Sequence, residues 1–170
     1  MENILDWTRS VLVTTPIRWE SMAQNVPVEL LTRQPAAGEW SALECLQHIL
    51  DTEEIFNARL RYFRAGQDFP DFDPDVEGTQ ISTTPSPLEM TAHFSRVRKD
   101  SLASLTTITQ GELNLRARHS RLGMVSLGEM IHNWAAHDLN HTVQAERAIM
   151  QPFILGCGPW KVYLQDHMMK

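Results

Sequence analysis

The sequence predicts an all-α protein, a four-helix bundle with a long crossover between the second and third helices. Four long stretches carry apolar residues at helical spacing, and no stretch shows the clear alternation that indicates a strand. Three of these stretches open with a capping box, a serine followed three residues later by glutamate. The connection after the second stretch is long, which permits the next helix to run parallel to the last.

Length, charge and cysteine content limit the classes of protein. A chain of 170 residues suits a single domain, predicted over residues 1–170. The net charge of −6 argues against nucleic-acid binding, which needs a basic surface. No apolar run approaches the roughly 18 residues that span a bilayer, and the acidic N-terminus lacks the basic region of a signal peptide. The two cysteines are far apart, which favours a reduced, cytoplasmic protein.

The first helix is predicted from Thr15-Pro16, a pair typical of an N-cap followed by proline at the first helical position, to about Gln24. Residues 2–13 also show helical spacing. They form either a separate short helix or the front of a kinked one. Residues 26–39, interrupted by prolines and a glycine, are predicted to be a connector.

The second helix is predicted to begin at Ser41, with Glu44 completing its capping box, and to end near Gly66. Residues 67–85 then form a long acidic link. A calcium loop is one interpretation, but the required spacing of acidic ligands is absent, so a solvated crossover is predicted. The acidic residues of the link are Asp68, Asp71, Asp73, Asp75 and Glu77.

The third helix is predicted to begin at Ser86, with Pro87 at its first position, and to fade near residues 109–111. Residues 113–124 are basic and are predicted to be an irregular, solvated loop. An anion-binding rim is the alternative, because the segment leads into the N-terminus of the last helix. The rim would consist of Arg116, Arg118, His119 and Arg121.

The fourth helix is predicted to run from Ser126 to Pro152, which should stop it. His137 and His141 lie one turn apart on its apolar face. Such histidines are either core residues with hydrogen-bond partners or metal ligands. Beyond this helix, Trp160 and Tyr163 are predicted to pack a closing segment onto the bundle, and Cys157, between two glycines, is predicted to lie in a turn.

A third histidine, His48, lies at the border of the apolar face of the second helix. It is either a boundary residue or a further ligand. Metal sites in helix bundles form from side chains on facing helices. Three imidazoles that leave a fourth position open match a catalytic zinc site, and nickel or ferrous iron would also accept them.

Two segments carry a resemblance to a known family. GEWSALECLQH (residues 38–48) and HSRLGMVSLGEMIHNWAAHDLNH (residues 119–141) resemble the DinB/YfiT-like superfamily, and the resemblance covers nearly the whole chain, including residues 152–156. It implies an up-up-down-down bundle with a long second crossover. It also implies one divalent transition metal (zinc, nickel or iron) held by three histidines, which fall here on His48, His137 and His141.

The resemblance leaves the reaction open, because branches of the superfamily include thiol-dependent S-transferases, a thiol-dependent isomerase and proteins described as metal-dependent hydrolases. The first hypothesis is an enzyme in which the metal activates water or a small thiol to attack a small electrophile. Glu44, Asn133 and Gln144 each lie three or four residues from a ligand, so they are predicted to orient the imidazoles.

Two alternatives are not enzymes. One is a non-catalytic metal-binding or stress-response bundle that acts as a dimer. The other is a purely structural bundle with core histidines. A homodimer is expected from the resemblance and from apolar residues on the far side of the histidine helix, because exposed apolar patches often mark partner surfaces. These residues are Leu139, Val143 and Met150.

Overall fold

The computed structural model of the protein describes residues 3–72 and 86–169. Within these residues, four long helices form the predicted bundle, and a two-stranded hairpin and three short helical segments complete the fold. The elements are α1 (Ile4–Asn25), α2 (Val28–Thr32), α3 (Ala42–Ala65), α4 (Pro87–Leu105), the 3-10 turn η1 (Glu112–Asn114), β1 (Arg116–His119), β2 (Gly123–Ser126), α5 (Leu127–Gly156) and the 3-10 segment η2 (Gly158–His167). None of the described helices is both long enough and apolar enough to cross a bilayer.

Contacts between residue pairs fix the directions of the long helices. α1 runs parallel to α5, and α3 runs parallel to α4, because residue numbers rise together from one contact to the next. α3 runs antiparallel to α5, because one number rises while the other falls. The contacts are Thr8 with Ile131 and Arg18 with Glu146 for α1 and α5, Glu53 with Arg98 and Asn57 with Ser101 for α3 and α4, and His48 with His137 and Glu53 with Trp134 for α3 and α5.

The order of the four long helices is therefore up-down-down-up, which corrects the up-up-down-down order implied by the resemblance. The long link joins α3 to α4, the pair that runs parallel, and a parallel neighbour requires a connection that returns along the bundle. The shorter connector that contains α2 reverses the chain between α1 and α3. Residues 73–85 of the link, including three of its acidic residues, lie outside the described residues.

α1 is one continuous helix with Pro16 in its interior, so Thr15 is not its N-cap. The helix begins instead at Asn3, whose side chain accepts a hydrogen bond from the Asp6 amide. An interior proline costs about 3 kcal/mol because it removes one helical hydrogen bond. Packing of α1 along both α4 and α5 offsets that cost, and this packing is invisible in the local sequence.

α5 continues through Pro152 to Gly156, so the prediction that Pro152 ends it is wrong. Two contacts hold the last turn in place. Ile154 is buried, and the Gln151 side chain bonds to the backbone of His167 and Met169. The predicted packing of Trp160 and Tyr163 onto the bundle is also wrong, because these side chains are 69% and 78% exposed.

The basic segment before α5 forms an antiparallel hairpin, β1–β2, where an irregular loop was predicted. Each strand has four residues, too few for alternation to stand out in the sequence. Gly123 has φ +80°, which suits the turn that opens β2. The backbone of Phe69, in the link after α3, bonds to Arg118 and Ser120, so the hairpin also anchors the start of the crossover.

The core consists of two apolar clusters with a charged layer between them. One cluster is centred on Phe56, Phe63 and Trp134, and the other on Trp19, Leu46 and Phe94. Along α3, α4 and α5, one buried charged residue separates the members of the two clusters. These residues, named here the ion cluster, are Glu53, Arg98 and Asp138.

Candidate metal centre

The structure brings together the three histidines that the sequence analysis singled out. His48 extends from α3, and His137 and His141 extend from successive turns of α5. One ring nitrogen from each lies within 4.8 Å of the other two. These three residues are named here the histidine cluster. The cluster forms because the antiparallel α3 and α5 pack directly against each other.

Hydrogen bonds orient the rings. The Nε2 atoms of His48 and His137 are 2.9 Å apart. The Nδ1 atom of His141 lies 2.8 Å from the Gln144 side-chain oxygen. Because an amide oxygen only accepts, Nδ1 of His141 carries the proton and Nε2 presents its lone pair. Gln144 therefore selects the tautomer in which His141 can bind a cation through Nε2.

Aromatic rings cover the histidine cluster. The Trp40 ring lies 4.9 Å from the His48 ring and 5.8 Å from the His141 ring, and the Phe56 ring lies 5.5 Å from His137. Trp40 immediately precedes the N-cap of α3, after a turn in which Gly38 has φ +81°. Trp40 was not among the site residues predicted from the sequence. Its position beside the cap of the helix that carries His48 was the signal that could have identified it.

Burial keeps the three imidazoles uncharged. Burial, reinforced by neighbouring histidines, lowers the pKa of His48 to about 4 and that of His137 to about 3. Burial also lowers the pKa of His141, although the Gln144 hydrogen bond and the Asp138 charge act in the opposite direction. At neutral pH the cluster thus offers three neutral nitrogen donors, the form in which histidine binds metals.

The donor set fits a divalent transition metal. Among the described residues, Nδ1 of His48 and Nδ1 of His137 have no hydrogen-bond partner, so the protein satisfies only one ring nitrogen of each histidine. Neutral imidazole is a preferred ligand of zinc, nickel and iron. Cys45, on the neighbouring turn of α3, is unsuited as a nucleophile because burial raises the pKa of its thiol to about 12.

The three residues predicted to orient the imidazoles differ in what their side chains contact. Gln144 contacts His141, as described above. Glu44 instead completes the capping box of α3, where its carboxylate accepts hydrogen bonds from the Ser41 amide and hydroxyl, both at 2.7 Å. Asn133 is exposed on α5. The predictions for Glu44 and Asn133 are therefore corrected, because a capping box and an outward face account for them.

The ion cluster lies beside the histidine cluster and was missed by the sequence analysis. The Arg98 guanidinium donates to Glu53 at 2.7 and 2.8 Å and to Asp138 at 2.6 and 3.1 Å. It also donates to the Leu12 carbonyl, and the Trp134 indole donates to Glu53. All three charged side chains are 1% exposed. Asp138 directly follows His137 in the chain, which couples the two clusters.

Two carboxylates share one guanidinium in the ion cluster. Burial raises the pKa of Glu53, against the influence of Arg98. Burial acts to lower the pKa of Arg98, but the two carboxylates outweigh it and raise that pKa. The signal in the sequence was a charged residue at a core position in each of three helices, such as Arg98 between Phe94 and Ser101.

The basic residues considered as an anion-binding rim do not act as one group. Arg116, Arg118 and Arg121 are exposed, whereas His119, the last residue of β1, is buried. In the link, the Asp68 carboxylate accepts a hydrogen bond from the Arg118 amide, and Asp71 lies 3.3 Å from His119. These two acidic residues thus have protein partners rather than the arrangement of a calcium loop.

Comparison with known proteins agrees with this architecture. The fold is similar to that of YfiT from Bacillus subtilis, described as a probable metal-dependent hydrolase with an unusual four-helix bundle topology. The two share 13% sequence identity over 90% of each chain, with a TM-score of 0.75. No curated protein shows significant sequence similarity to the chain. The sequence matches the DinB superfamily over residues 12–145, a span that includes all three histidines, and the chain therefore belongs to the DinB superfamily.

Proposed function

We propose that the protein is a metal-dependent enzyme that holds one divalent transition metal on His48, His137 and His141. The observation that carries the proposal is the convergence of three neutral imidazole nitrogens, from two helices, within 4.8 Å. The similarity to YfiT supports hydrolysis as the reaction class. The substrate would be a small electrophile, attacked by water or by a small thiol.

A metal with three imidazole ligands supplies open positions and lowers the pKa of a bound water or thiol toward neutrality. The surrounding residues hold this site in shape. Gln144 fixes the tautomer of His141, and Trp40 and Phe56 limit the access of water. Within the ion cluster, the Asp138 carboxylate favours a positive charge at His141, whereas Arg98 disfavours one at His137.

A second candidate function is a non-catalytic metal-binding protein that acts as a dimer. It is favoured by Leu139 and Val143, which are 43% and 50% exposed one turn apart on α5. Exposed apolar residues at this spacing offer a surface for a second helix. Met150, predicted to share this surface, is half-buried.

Elemental analysis of protein purified without an affinity tag tests metal binding. Close to one zinc, nickel or iron per chain is expected, and His48→Ala should lose it because one of three ligands is removed. His132→Ala is the matched control, since His132 is an exposed histidine on α5. Metal-free protein that takes up neither zinc nor nickel at neutral pH would refute the proposal.

A panel of small esters, amides and thiol-plus-electrophile pairs then separates the two candidate functions. The enzyme should convert at least one member, and His48→Ala should abolish the conversion while His132→Ala retains it. Metal uptake without any conversion, together with a dimer in light scattering at micromolar concentration, would favour the non-catalytic protein. A monomer would remove the support for that alternative.

A further inference from the structure

A second basic group lies close to the histidine cluster. Arg59 is on the same face of α3 as His48, three turns further along, because residues 48, 52, 55 and 59 form one helical stripe. The Phe56 ring lies between the two groups, 5.5 Å from the His137 ring and 6.0 Å from the Arg59 guanidinium carbon. The guanidinium is therefore at most 11.5 Å from the His137 ring. A molecule that bound at both groups would span no more than this distance.

The Arg59 guanidinium is enclosed without being neutralised. It packs against Phe56 and also against Phe69, whose ring lies 5.5 Å away. Its Nε atom is buried and has no hydrogen-bond partner within the described part of the chain. Burial lowers the pKa of Arg59, with the Asp71 charge opposing this only in part. Arg59 as a whole is half-buried, but a buried Nε donor without an acceptor is costly, so it indicates a position that a ligand completes.

His119 provides a second hydrogen-bond donor beside the Arg59 guanidinium. Its Nδ1 atom accepts hydrogen bonds from the backbone amides of Arg121 and Leu122, at 3.1 and 3.3 Å. The proton of the neutral ring is therefore on Nε2. That Nε2 atom lies 3.5 Å from Nη2 of Arg59. Since both atoms are then donors, they do not bond to each other. The Asp71 carboxylate, 3.3 Å from Nε2, is an acceptor for His119, and a ligand oxygen placed between the two donors would compete with it.

The charged groups around Arg59 and His119 carry more positive than negative charge. Asp71 lies 3.3 Å from His119 and 3.6 Å from Arg121, but no carboxylate of residues 3–72 and 86–169 lies within ion-pair distance of Arg59. His119 is neutral at pH 7, because burial, aided by the charge of Arg59, lowers its pKa. Two arginines therefore face one carboxylate, in a chain whose net charge is −6.

We infer that Arg59 and His119 form a subsite for a carboxylate group of the substrate, whose reacting group lies at the histidine cluster. The inference rests on the proposed function and deepens it, because it assigns the substrate to the class of small carboxylic acids. A carboxylate suits the subsite, since its oxygens match the planar fork of a guanidinium. Phe56 contributes the apolar wall between the two ends of the substrate.

Calorimetric titration with glutarate, a small dicarboxylate, tests the subsite directly. Zinc-loaded wild-type protein should bind it, and Arg59→Gln should weaken binding about 10- to 100-fold, the range for a hydrogen bond to a charged group. Arg61→Gln is the matched control, because Arg61 is an exposed arginine on the same helix. Asp71→Asn should tighten binding, because it removes the carboxylate that competes for His119.

A kinetic measurement extends the test. The ratio of kcat/KM for mono-4-nitrophenyl glutarate to that for 4-nitrophenyl acetate should fall in Arg59→Gln and stay constant in Arg61→Gln. Arg59→Lys keeps the charge without the fork and should recover part of the preference for the acidic ester. If Arg59→Gln does not fold, Arg59→Lys and Asp71→Asn carry the test.

The two proposals fail in different ways. Absence of zinc uptake, or of any ester hydrolysis, counts against the metal-dependent enzyme, while glutarate titration of metal-free protein still reports on Arg59. The inference is overturned if wild-type protein does not bind glutarate, if Arg59→Gln binds it as tightly as wild type, or if Arg61→Gln loses as much affinity. It is also overturned if Asp71→Asn binds more weakly, as a purely structural role for the Asp71–His119 pair requires.

Discussion

Two buried polar clusters lie side by side on α3 and α5, and they differ in how completely the protein satisfies them. In the ion cluster, Arg98 bonds to both carboxylates and to a backbone carbonyl, and an indole bonds to Glu53. In the histidine cluster, two of the three rings have an Nδ1 atom without a partner among the described residues. Both clusters face the same cost of removing polar groups from water.

The difference indicates different roles. A buried network whose members all have partners holds the helices in a unique arrangement, and the ion cluster joins three helices to the backbone of α1. Three buried imidazoles whose ring nitrogens lack a shared hydrogen-bond partner gain little stabilisation from the protein itself. Their burial becomes favourable when a cation binds to them. The ion cluster is therefore expected to matter for folding, and the histidine cluster for binding.

The largest effect is expected from removing the centre of the ion cluster. Arg98→Met leaves Glu53 and Asp138 buried without a cation, and loss of one partner from a buried ion pair typically costs about 3–5 kcal/mol. Urea unfolding should show this loss in metal-free protein. Arg96→Met, an exposed position on α4, is the control. A change below about 1 kcal/mol would mean that the ion cluster is not structural.

Loss of a metal ligand is expected to lower the stability by a comparable amount, but only in samples that contain zinc. Zinc at about 1,000 times its dissociation constant stabilises the folded state by about 4 kcal/mol. His141→Ala should lose this stabilisation and retain the melting temperature of chelator-treated wild type, because alanine favours helix. His132→Ala should respond to zinc as wild type does. If His141→Ala is destabilised equally with chelator, His141 is a structural core residue.

A smaller effect is expected from pH in metal-free protein. The pKa values of His48 and His137 are lower in the folded state, about 4 and 3, than the ordinary value of 6.5. The unfolded chain therefore binds more protons below pH 6.5, and the free energy of unfolding falls as the pH falls from there toward 4. The loss by pH 5.5 is on the order of 2 kcal/mol.

Unfolding of wild type and of the His48→Ala, His137→Ala double variant from pH 7.5 to 5 measures this dependence. The difference between the two proteins isolates the histidines, because the contribution of Glu53 is common to both. Parallel pH profiles would show that the rings are already solvated in the folded protein.

The smallest effect is expected at Gln144. Gln144→Leu fills a similar volume but cannot accept from His141, so that ring is free to adopt the other tautomer. Loss of a residue that orients a metal ligand typically costs 10- to 100-fold in metal affinity. Zinc competition with a chromophoric chelator measures this. Asn133→Leu should change nothing, and an equal loss there would contradict the assigned positions.

The sequence predicted the elements that depend on local chemistry. The capping boxes at Ser41 and Ser126 are present, and the end of α3 at Gly66 is correct. The third predicted box is wrong, because the side chain of Ser86 makes no capping hydrogen bond. The three histidines were also predictable, because helical spacing and the resemblance to a family pointed to the same residues. What failed depends on packing between distant segments. Pro16 and Pro152 lie inside helices because neighbouring elements hold the chain through them.

The partners of buried charged residues likewise could not be predicted from the sequence. Three separate helices contribute the members of the ion cluster, and nothing local distinguishes Arg98 from a solvated arginine except its position on the apolar stripe. Glu44 shows the opposite error. It lies four residues before His48, but its own capping box already uses the carboxylate. Spacing along a helix shows which residues are neighbours, and competition for partners decides which contacts form.

The distribution of the three histidines along the chain also has a consequence for the order of events during synthesis. His48 and His137 are 89 residues apart. Joining them closes a loop whose entropic cost is about 4 kcal/mol. A nascent chain that ends before residue 141 lacks the complete set of ligands. Under the proposed function, the complete set of ligands would therefore form only after most of the chain has been made. A metal bound to all three histidines would link α3 to α5 as a reversible cross-link, and we expect such a link to slow unfolding.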